Sequence, residues 1–167
     1  MDLTEAEWAA YHELYSSTYD RKWGYPAVTL DFFLEVSETM PDSIMLVLGR
    51  RDGRYVAGAH CFQGAETLFG RNWGCIEQHR GLHFEICYYR LIEWCIERGL
   101  SRFDAGAQGE HKITRGFLPV RTSSGHWIRD GRFRDAIARF LDEETREVER
   151  YIAAMARHSP FREAEPA

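Results

Sequence analysis

The feature that most constrains the fold of this chain is a series of short apolar segments separated by turn residues. The segments are residues 43–48, 55–62 and 67–73. Asp52-Gly53, between the first two segments, is a strong hairpin signal. Short apolar runs bounded by such turns are typical of buried strands. We therefore predict an antiparallel meander over residues 43–73.

Helical patterns surround this meander. The predicted helices are residues 4–19, a segment from Thr29 to Met40, Leu82 to Arg98, a short helix over 110–115 and a long amphipathic helix over 131–158. Further strands are predicted over residues 101–105 and 119–128. This order predicts a mixed α/β (α+β) fold, in which a mainly antiparallel sheet is flanked by helices and a long helix ends the chain.

Apolar stripes at helical spacing predict which faces of the two longest helices are buried. In the helix over 82–98, the stripe consists of Phe84, Cys87, Tyr88, Leu91, Ile92, Cys95 and Ile96. In the C-terminal helix, it consists of Phe133, Ile137, Phe140, Leu141, Val148, Tyr151, Ile152 and Met155. We expect both stripes to be buried.

Length and charge narrow the classes of protein to consider. The chain has 167 residues, enough for one domain with a substantial core. We assign residues 1–158 to a single domain and residues 159–167, which contain two prolines and no pattern, to a flexible tail. The formal net charge of −5 argues against a broad basic surface for DNA.

The cysteines and the apolar runs indicate the compartment. Cys61, Cys75, Cys87 and Cys95 lack the spacing of a zinc site, and no other set of side chains has metal-ligand spacing. We expect free, buried thiols in a reducing compartment and no metal. No apolar run approaches the roughly 18 residues of a membrane-spanning helix. A cytoplasmic protein is therefore expected.

The densest group of polar side chains follows the predicted strand over 101–105. It comprises Gln108, Gly109, Glu110, His111, Lys112 and Arg115. Glu110 or His111 could act as a general base, and a histidine side chain titrates near neutral pH. Lys112 and Arg115 could bind one phosphate or carboxylate together. The alternative is a solvated polar turn.

A second candidate site is the entry to the helix over 82–98. Gly81 precedes the helix, and the free N–H groups of a helix N-terminus favour an anion. His83 and Glu85 lie in the first turn, where they could bind a ligand. The alternatives are a capping role for His83 and a favourable interaction of Glu85 with the helix dipole.

Two further groups lie near strand ends. Arg71 with Trp73 could clamp and stack on an anionic ligand, or could be an exposed arginine beside a core tryptophan. His126, in Ser123-Ser124-Gly125-His126-Trp127, is expected to face a cleft or a polar neighbour. The chain has no G-x-S-x-G motif, so serine hydrolase chemistry is not favoured.

Four motifs taken together resemble one protein family. The motifs are Trp73-Gly74, Leu82-His83-Phe84-Glu85-x-Cys87-Tyr88-Tyr89, Gly106-Ala107-Gln108-Gly109-Glu110-His111-Lys112-x-x-Arg115-Gly116 and Thr122-x-Ser124-x-His126-Trp127-Ile128. They resemble the bacterial N-acyltransferases labelled FemAB-like or peptidoglycan biosynthesis proteins. The third motif is the most specific, and the resemblance runs from about Tyr15 to the C-terminal helix.

The resemblance implies a fold of the Gcn5-related N-acetyltransferase type. It also implies transfer of an acyl or aminoacyl group to an amine from an activated donor such as acyl-CoA (acetyl-CoA). Glu110 or His111 would be the base, and Tyr88 or Tyr89 would donate a proton to the leaving group. Gln78-x-x-Gly81 is similar to the start of a pyrophosphate loop, although His83 stands where Gly or Ala is usual.

The family also bears on assembly and partners. Its members are about twice as long and contain two such domains, and this chain resembles the C-terminal one, so a homodimer could replace the other domain. Three functions stay open. They are acyl transfer to a small-molecule or peptidoglycan-precursor amine, a non-catalytic half-domain that binds a ligand or partner, and transfer from aminoacyl-tRNA. The last needs a local basic groove, which the net charge of −5 does not supply by itself.

Overall fold

A computed structural model describes residues 3–20, 24–107 and 109–161, apart from the side chain of Glu110. The chain divides into two compact units, a first unit over Met1–Ala107 and a second unit over Gln108–Ala167. The single domain over residues 1–158 stays a prediction, and so does the flexible tail, of which residues 159–161 are described.

The helices and strands of the first unit follow the predicted order. They are α1 (Glu5–Asp20), α2 (Leu30–Thr39), β1 (Ile44–Arg51), β2 (Arg54–Gln63), β3 (Thr67–Cys75), α3 (residues 82–98) and β4 (Arg102–Asp104). A short 3₁₀ turn, Pro41–Ser43, links α2 to β1. Helix α3 consists of Leu82–Phe84, a π-helical turn at Glu85–Tyr89, and Arg90–Arg98.

The sheet has the strand order β1-β2-β3-β4. The first two pairings are antiparallel, and β4 joins β3 in parallel after the crossover through α3. Asp52 and Gly53 both have positive φ, 48° and 81°, as the tight hairpin turn between β1 and β2 requires. The predicted meander and the mixed α/β fold class are therefore confirmed.

Helices cover both faces of the sheet. Because successive side chains of a strand point to opposite faces, neighbouring residues of β2 serve different cores. On one face, Trp8, Tyr11 and Tyr15 of α1 pack with Phe33 of α2 and Ile44 of β1. On the other face, α3 packs Ile86, Leu91 and Cys95 against Ala57, Ala59 and Cys61 of β2.

The four cysteines are reduced thiols, as predicted. Cys61, Cys75 and Cys95 are buried, and Cys87 is half-buried. Burial raises the pKa of the Cys61 thiol to about 12. A thiol with so high a pKa is inert as a nucleophile at neutral pH.

The buried stripe of α3 differs in part from the predicted one. Tyr88, Leu91 and Cys95 are buried as expected, but Ile96 is 74% exposed, and Ile86, which was outside the predicted stripe, is buried. The π-helical turn holds an extra residue compared with regular α-helix and therefore shifts the phase of the stripe along the helix.

The second unit begins with a 3₁₀ helix, Glu110–Arg115, and contains one long helix, α4 (Gly131–Ala156), within its described part. Asp130 caps α4 by accepting a hydrogen bond from the Phe133 N–H (2.8 Å). The strand predicted over 119–128 is wrong, because these residues form no strand. Pro119 offers no N–H, and no partner strand lies beside this segment in the described part of the unit.

The predicted burial of the α4 stripe is also wrong. No residue of α4 is buried, and Phe133 and Phe140 are 58% and 57% exposed. The preceding segment contacts the helix through an Arg121–Glu149 ion pair of 3.4 Å, which involves the polar face. No helix in the described part of the chain is long and apolar enough to cross a membrane.

Candidate functional site

The parallel strands β3 and β4 pair over a short stretch and then diverge. β4 pairs with β3 only from Thr67–Arg102 to Phe69–Asp104, whereas β3 continues to Cys75. The chain turns at Gly106, which has a φ of 77° and donates its N–H to the Asp104 carboxylate (2.8 Å). The later half of β3 is therefore left without a strand partner on this side, among the described residues.

Arg71 lies at a bulge in this later half of β3. His60 pairs with Asn72 and Cys61 with Gly70, so Arg71 is an extra residue in the ladder between β2 and β3. Bulges redirect side chains and are frequent beside functional sites. The Arg71 side chain is exposed, which is compatible with either predicted role, an anion clamp or a surface arginine beside Trp73.

Sequence reasoning missed a buried polar pair next to this bulge, Tyr11 and His60. The Tyr11 hydroxyl donates to the Asn72 carbonyl (3.0 Å) and lies 2.9 Å from His60 Nδ1. Because the hydroxyl proton is directed to Asn72, we assign the proton between the two side chains to His60 Nδ1. The one available signal was a histidine within the otherwise apolar segment 56–62.

His60 is held in its neutral form. Burial lowers its pKa to about 4, and the positive charge of Arg71 acts in the same direction. Burial also raises the pKa of Tyr11 far above its usual range. The pair is therefore uncharged at neutral pH and links α1 to β2 and β3.

Helix α1 satisfies backbone groups that β4 does not reach. Besides the Tyr11 bond to Asn72, Thr18 donates to the Trp73 carbonyl (3.2 Å) and Ser17 to the Cys75 carbonyl (3.0 Å). A Cβ atom at Gly74 would overlap the Leu14 carbonyl, so glycine is needed for this close approach. The later half of β3 is thus held by β2 on one side and by hydrogen bonds from α1.

An aromatic cluster lies between this half of β3 and the start of α3. The His83 ring is 4.8 Å from Trp73 and 5.7 Å from Tyr88, in edge-to-face contacts, and Phe84 lies 6.0 Å from Tyr88. Tyr88 is 4% exposed, whereas Tyr89 is 47% exposed. The fold therefore brings together the predicted site residues Trp73, His83 and Tyr88.

Gly81 and Glu85 lie at the start of α3. Gly81 has a φ of 84°, which favours glycine, and its carbonyl accepts the Glu85 N–H (2.9 Å). The Glu85 carboxylate forms an ion pair with Arg90 (2.9 Å), and both side chains are about half-exposed. Such a surface pair contributes little to stability, and it leaves Glu85 within reach of solvent.

The polar residues of the second unit are organised by its 3₁₀ helix. Gly109 has a φ of 105°, and a Cβ atom there would lie 2.6 Å from the His111 ring. Arg115 Nη1 and Thr114 Oγ1 both donate to the His111 carbonyl, at 2.7 and 2.9 Å. Lys112 and Arg115 are half-buried, and His111 is exposed.

The remaining predicted residues are placed as follows. His126 Nε2 lies 2.9 Å from Ser124 Oγ, and both side chains are exposed. Gln108 and the side chain of Glu110 lie outside the described residues. No cluster of at least three His, Cys, Asp or Glu side chains that could hold a metal ion occurs in the described ranges.

The predicted site residues fall into two sets. Arg71, Trp73, Gly81, His83, Glu85 and Tyr88 belong to the first unit, and Gly109, His111, Lys112, Arg115 and His126 to the second. Within the first unit the rings of Trp73, His83 and Tyr88 meet. Within the second unit Gly109, His111 and Arg115 meet. The assignment of roles to these residues stays a prediction.

Comparison with solved structures identifies the fold. The chain is similar to an aminoglycoside N-acetyltransferase, AAC(6')-Iy, in complex with CoA (TM-score 0.53, 14% identity, 77% of this chain and 92% of that chain). It is equally similar to a ribosomal-protein-alanine N-acetyltransferase from Brucella melitensis (TM-score 0.53, 17% identity, 77% and 96%). AAC(6')-Iy in complex with a bisubstrate analog gives the same TM-score, with 14% identity and 78% and 97% coverage.

These identities establish the acetyltransferase fold alone. A comparison with curated proteins finds no match to the chain. The sequence model of one family, FemAB-like, described as peptidoglycan biosynthesis/recognition, matches residues 1–163. Since this match covers nearly the whole sequence and agrees with the fold, the chain belongs to the FemAB-like family.

Proposed function

We propose that this chain is an N-acyltransferase that moves an acyl group from an acyl-CoA donor to an amine. The main support for this proposal is that β3 and β4 diverge beside the rings of Trp73, His83 and Tyr88. Membership of the FemAB-like family supports the proposal. Two similar structures, described in complex with CoA and with a CoA-containing bisubstrate analog, favour acyl-CoA as the donor.

The opening between the strands suits an extended donor. A strand edge without a partner can bind an extended chain through main-chain hydrogen bonds, and the pantetheine arm of CoA carries amide groups for that purpose. The adjacent rings supply an apolar wall with a few polar atoms, the usual composition of a small-molecule site. The N-terminus of α3 at Gly81 and His83, together with Arg71, is the proposed site for the phosphates.

The reaction forms one bond and breaks another. The amine nitrogen attacks the thioester carbonyl, the new C–N bond forms, and the C–S bond breaks. The proton that the amine loses passes to His111 or Glu110 as the general base. The thiolate leaving group takes a proton, for which Tyr88 is the proposed donor. Lys112 and Arg115 would bind an anionic group of the donor or acceptor.

The acceptor is proposed to be an amine of a cell-wall precursor or another small molecule. The family description, peptidoglycan biosynthesis/recognition, supports the first of these. Aminoacyl-tRNA as a donor would require strong, salt-sensitive RNA binding. Filter binding at several salt concentrations tests that alternative.

The base assignment is tested by acyl transfer from acetyl-CoA to a panel of amines, with mass spectrometry of the products. His111→Ala and Glu110→Ala should each lower transfer by about 100-fold or more if that residue is the base. His158→Ala, which removes an exposed histidine of the same unit, is the matched control and should be neutral. If both variants keep full activity, the assignment is wrong. Saturable acetyl-CoA binding without transfer to any amine would favour the non-catalytic binding module.

A further inference from the structure

Helix α4 has an apolar face on which no side chain is fully buried. On a helical wheel, Phe133, Ile137, Phe140, Leu141, Glu144, Val148, Tyr151, Ile152 and Met155 share one side. Phe133, Phe140, Leu141, Val148 and Tyr151 are 41–58% exposed. We call these nine positions the α4 stripe. Exposed apolar patches of this kind mark interaction surfaces.

The stripe is long enough to pair with another helix along its whole length. The helix has 26 residues, so it extends about 39 Å at 1.5 Å per residue. Eight of the nine stripe positions are apolar. Two helices that bury such stripes against each other gain from apolar burial along several turns, as in a coiled coil.

The charges of α4 are divided between its two halves. Residues 131–141 contain three arginines and one aspartate, whereas residues 142–156 contain five acidic residues and two arginines. The first half is therefore net positive and the second half net negative. An antiparallel partner with the same sequence would place opposite charges beside each other, and a parallel partner would place like charges together.

We propose that the α4 stripe is a homodimer interface, in which α4 of one copy packs antiparallel against α4 of a second copy. A twofold axis through the middle of the stripe makes the interface self-complementary. Phe133 of one copy then lies opposite Met155 of the other, and Phe140 opposite Val148. Each pair joins a larger side chain to a smaller one, which favours close packing.

Glu144 fixes the register of this pair. It is the one charged residue of the stripe and stands midway between Phe133 and Met155, so the twofold axis brings the two Glu144 side chains together. Like charges at this position weaken the dimer. A single polar residue at a core position is a known means of selecting one register at a cost in stability.

The test is sedimentation of the full chain over a wide range of protein concentrations. The wild type should dimerise, Phe140→Glu should weaken the dimer by about 100-fold or more, and Glu144→Leu should tighten it by about tenfold or more. The matched control is Ala153→Glu, which adds the same charge to the exposed polar face and should leave dimerisation almost unchanged. Circular dichroism checks that each variant keeps its helices.

Cysteine cross-linking tests the orientation. Glu144→Cys should form an intermolecular disulfide under mild oxidation, whereas Arg132→Cys should not, because two residues at 132 lie roughly 36 Å apart along an antiparallel pair. The wild type, with three buried thiols and one half-buried, measures the background. A monomer at every concentration, a dimer unaffected by Phe140→Glu, or efficient cross-linking at position 132 would overturn the proposal.

Discussion

Helices α1 and α4 carry the same kind of apolar stripe but differ in its burial. Four of the 16 residues of α1 are buried, and Trp8 and Tyr11 are 0% exposed. None of the 26 residues of α4 is buried. A helical period of apolar residues therefore predicts a helix and which of its faces is apolar. Whether that face is buried depends on a partner surface elsewhere in the chain or on another molecule.

The partner surface of α1 is specific. Gly74 lets the α1 backbone approach β3 closely. Three hydroxyl groups of α1 donate to the carbonyls of Asn72, Trp73 and Cys75 in that strand. Helix α4 contacts the segment before it through the Asp130 cap and an exposed Arg121–Glu149 ion pair. Substitutions in the two regions should therefore differ in their effect on stability.

Replacing one phenylalanine in each region should give very different losses of stability. Phe33 is 0% exposed and stacks on Trp8 at a centroid distance of 5.5 Å, whereas Phe140 is 57% exposed. Phe33→Ala should lower the free energy of unfolding by about 3–5 kcal/mol, and Phe140→Ala by less than about 0.5 kcal/mol in dilute, monomeric protein. Urea denaturation measures both. Equal losses would contradict the structural contrast.

The close approach of α1 to β3 is tested by adding one methyl group. Gly74→Ala places a Cβ atom against the Leu14 carbonyl, so one backbone segment has to move. We expect a loss of about 3 kcal/mol from this overpacking. Gly64→Ala is the matched control, because its nearest neighbours lie at 3.6 Å. A stable Gly74→Ala protein, equal to the control, would mean that α1 does not contact β3 in this way.

Stability should depend on pH through His60. Its pKa in the folded chain is about 4, below the value of about 6.5 in an unfolded chain, so the unfolded state binds the proton first. The contribution is therefore fully present above about pH 6.5 and is lost as the pH falls towards 4, with a total of about 3 kcal/mol. His60→Gln should flatten this part of the profile, and His126→Gln, at an exposed position, should not. An unchanged slope in His60→Gln would refute the assignment.

The smallest expected loss of stability comes from removing a single hydroxyl group, that of Ser17. Ser17 Oγ reaches both the Leu14 carbonyl of its own helix and the Cys75 carbonyl of β3, whereas Ser37 Oγ reaches only the Leu34 carbonyl of α2. Ser17→Ala should cost about 1 kcal/mol, and Ser37→Ala should cost clearly less. Thermal unfolding of the two variants under identical conditions gives the difference. A larger loss from Ser37→Ala would contradict the importance of the contact between α1 and β3.

Much of the fold could be predicted from local signals. Asp52-Gly53 predicted the hairpin, and Thr29 predicted the start of α2, whose N-terminus it caps. Gly99, with a φ of 66°, ends α3 as expected. Each of these features depends on the conformational preferences of one or two residues, so the residue types alone are enough to predict it.

The features that escaped prediction depend on distant parts of the chain. The π-helical turn at Glu85–Tyr89 cannot be recognised from the spacing of the apolar residues. The segment over 119–128 has strand-like residues but forms no strand. The Tyr11–His60 pair joins residues 49 positions apart. The contact of Trp73 with His83 could be anticipated only from motifs that the family shares, because the spacing of the two residues implies no contact.

The most direct test of the proposed function is a calorimetric titration of the folded chain with acetyl-CoA. We expect one-site binding with a dissociation constant between about 1 µM and 1 mM, the ordinary range for enzyme substrates. Trp73→Ala should bind acetyl-CoA more weakly, because the indole forms one wall of the proposed opening. Absence of any binding by a chain that unfolds cooperatively would contradict the account.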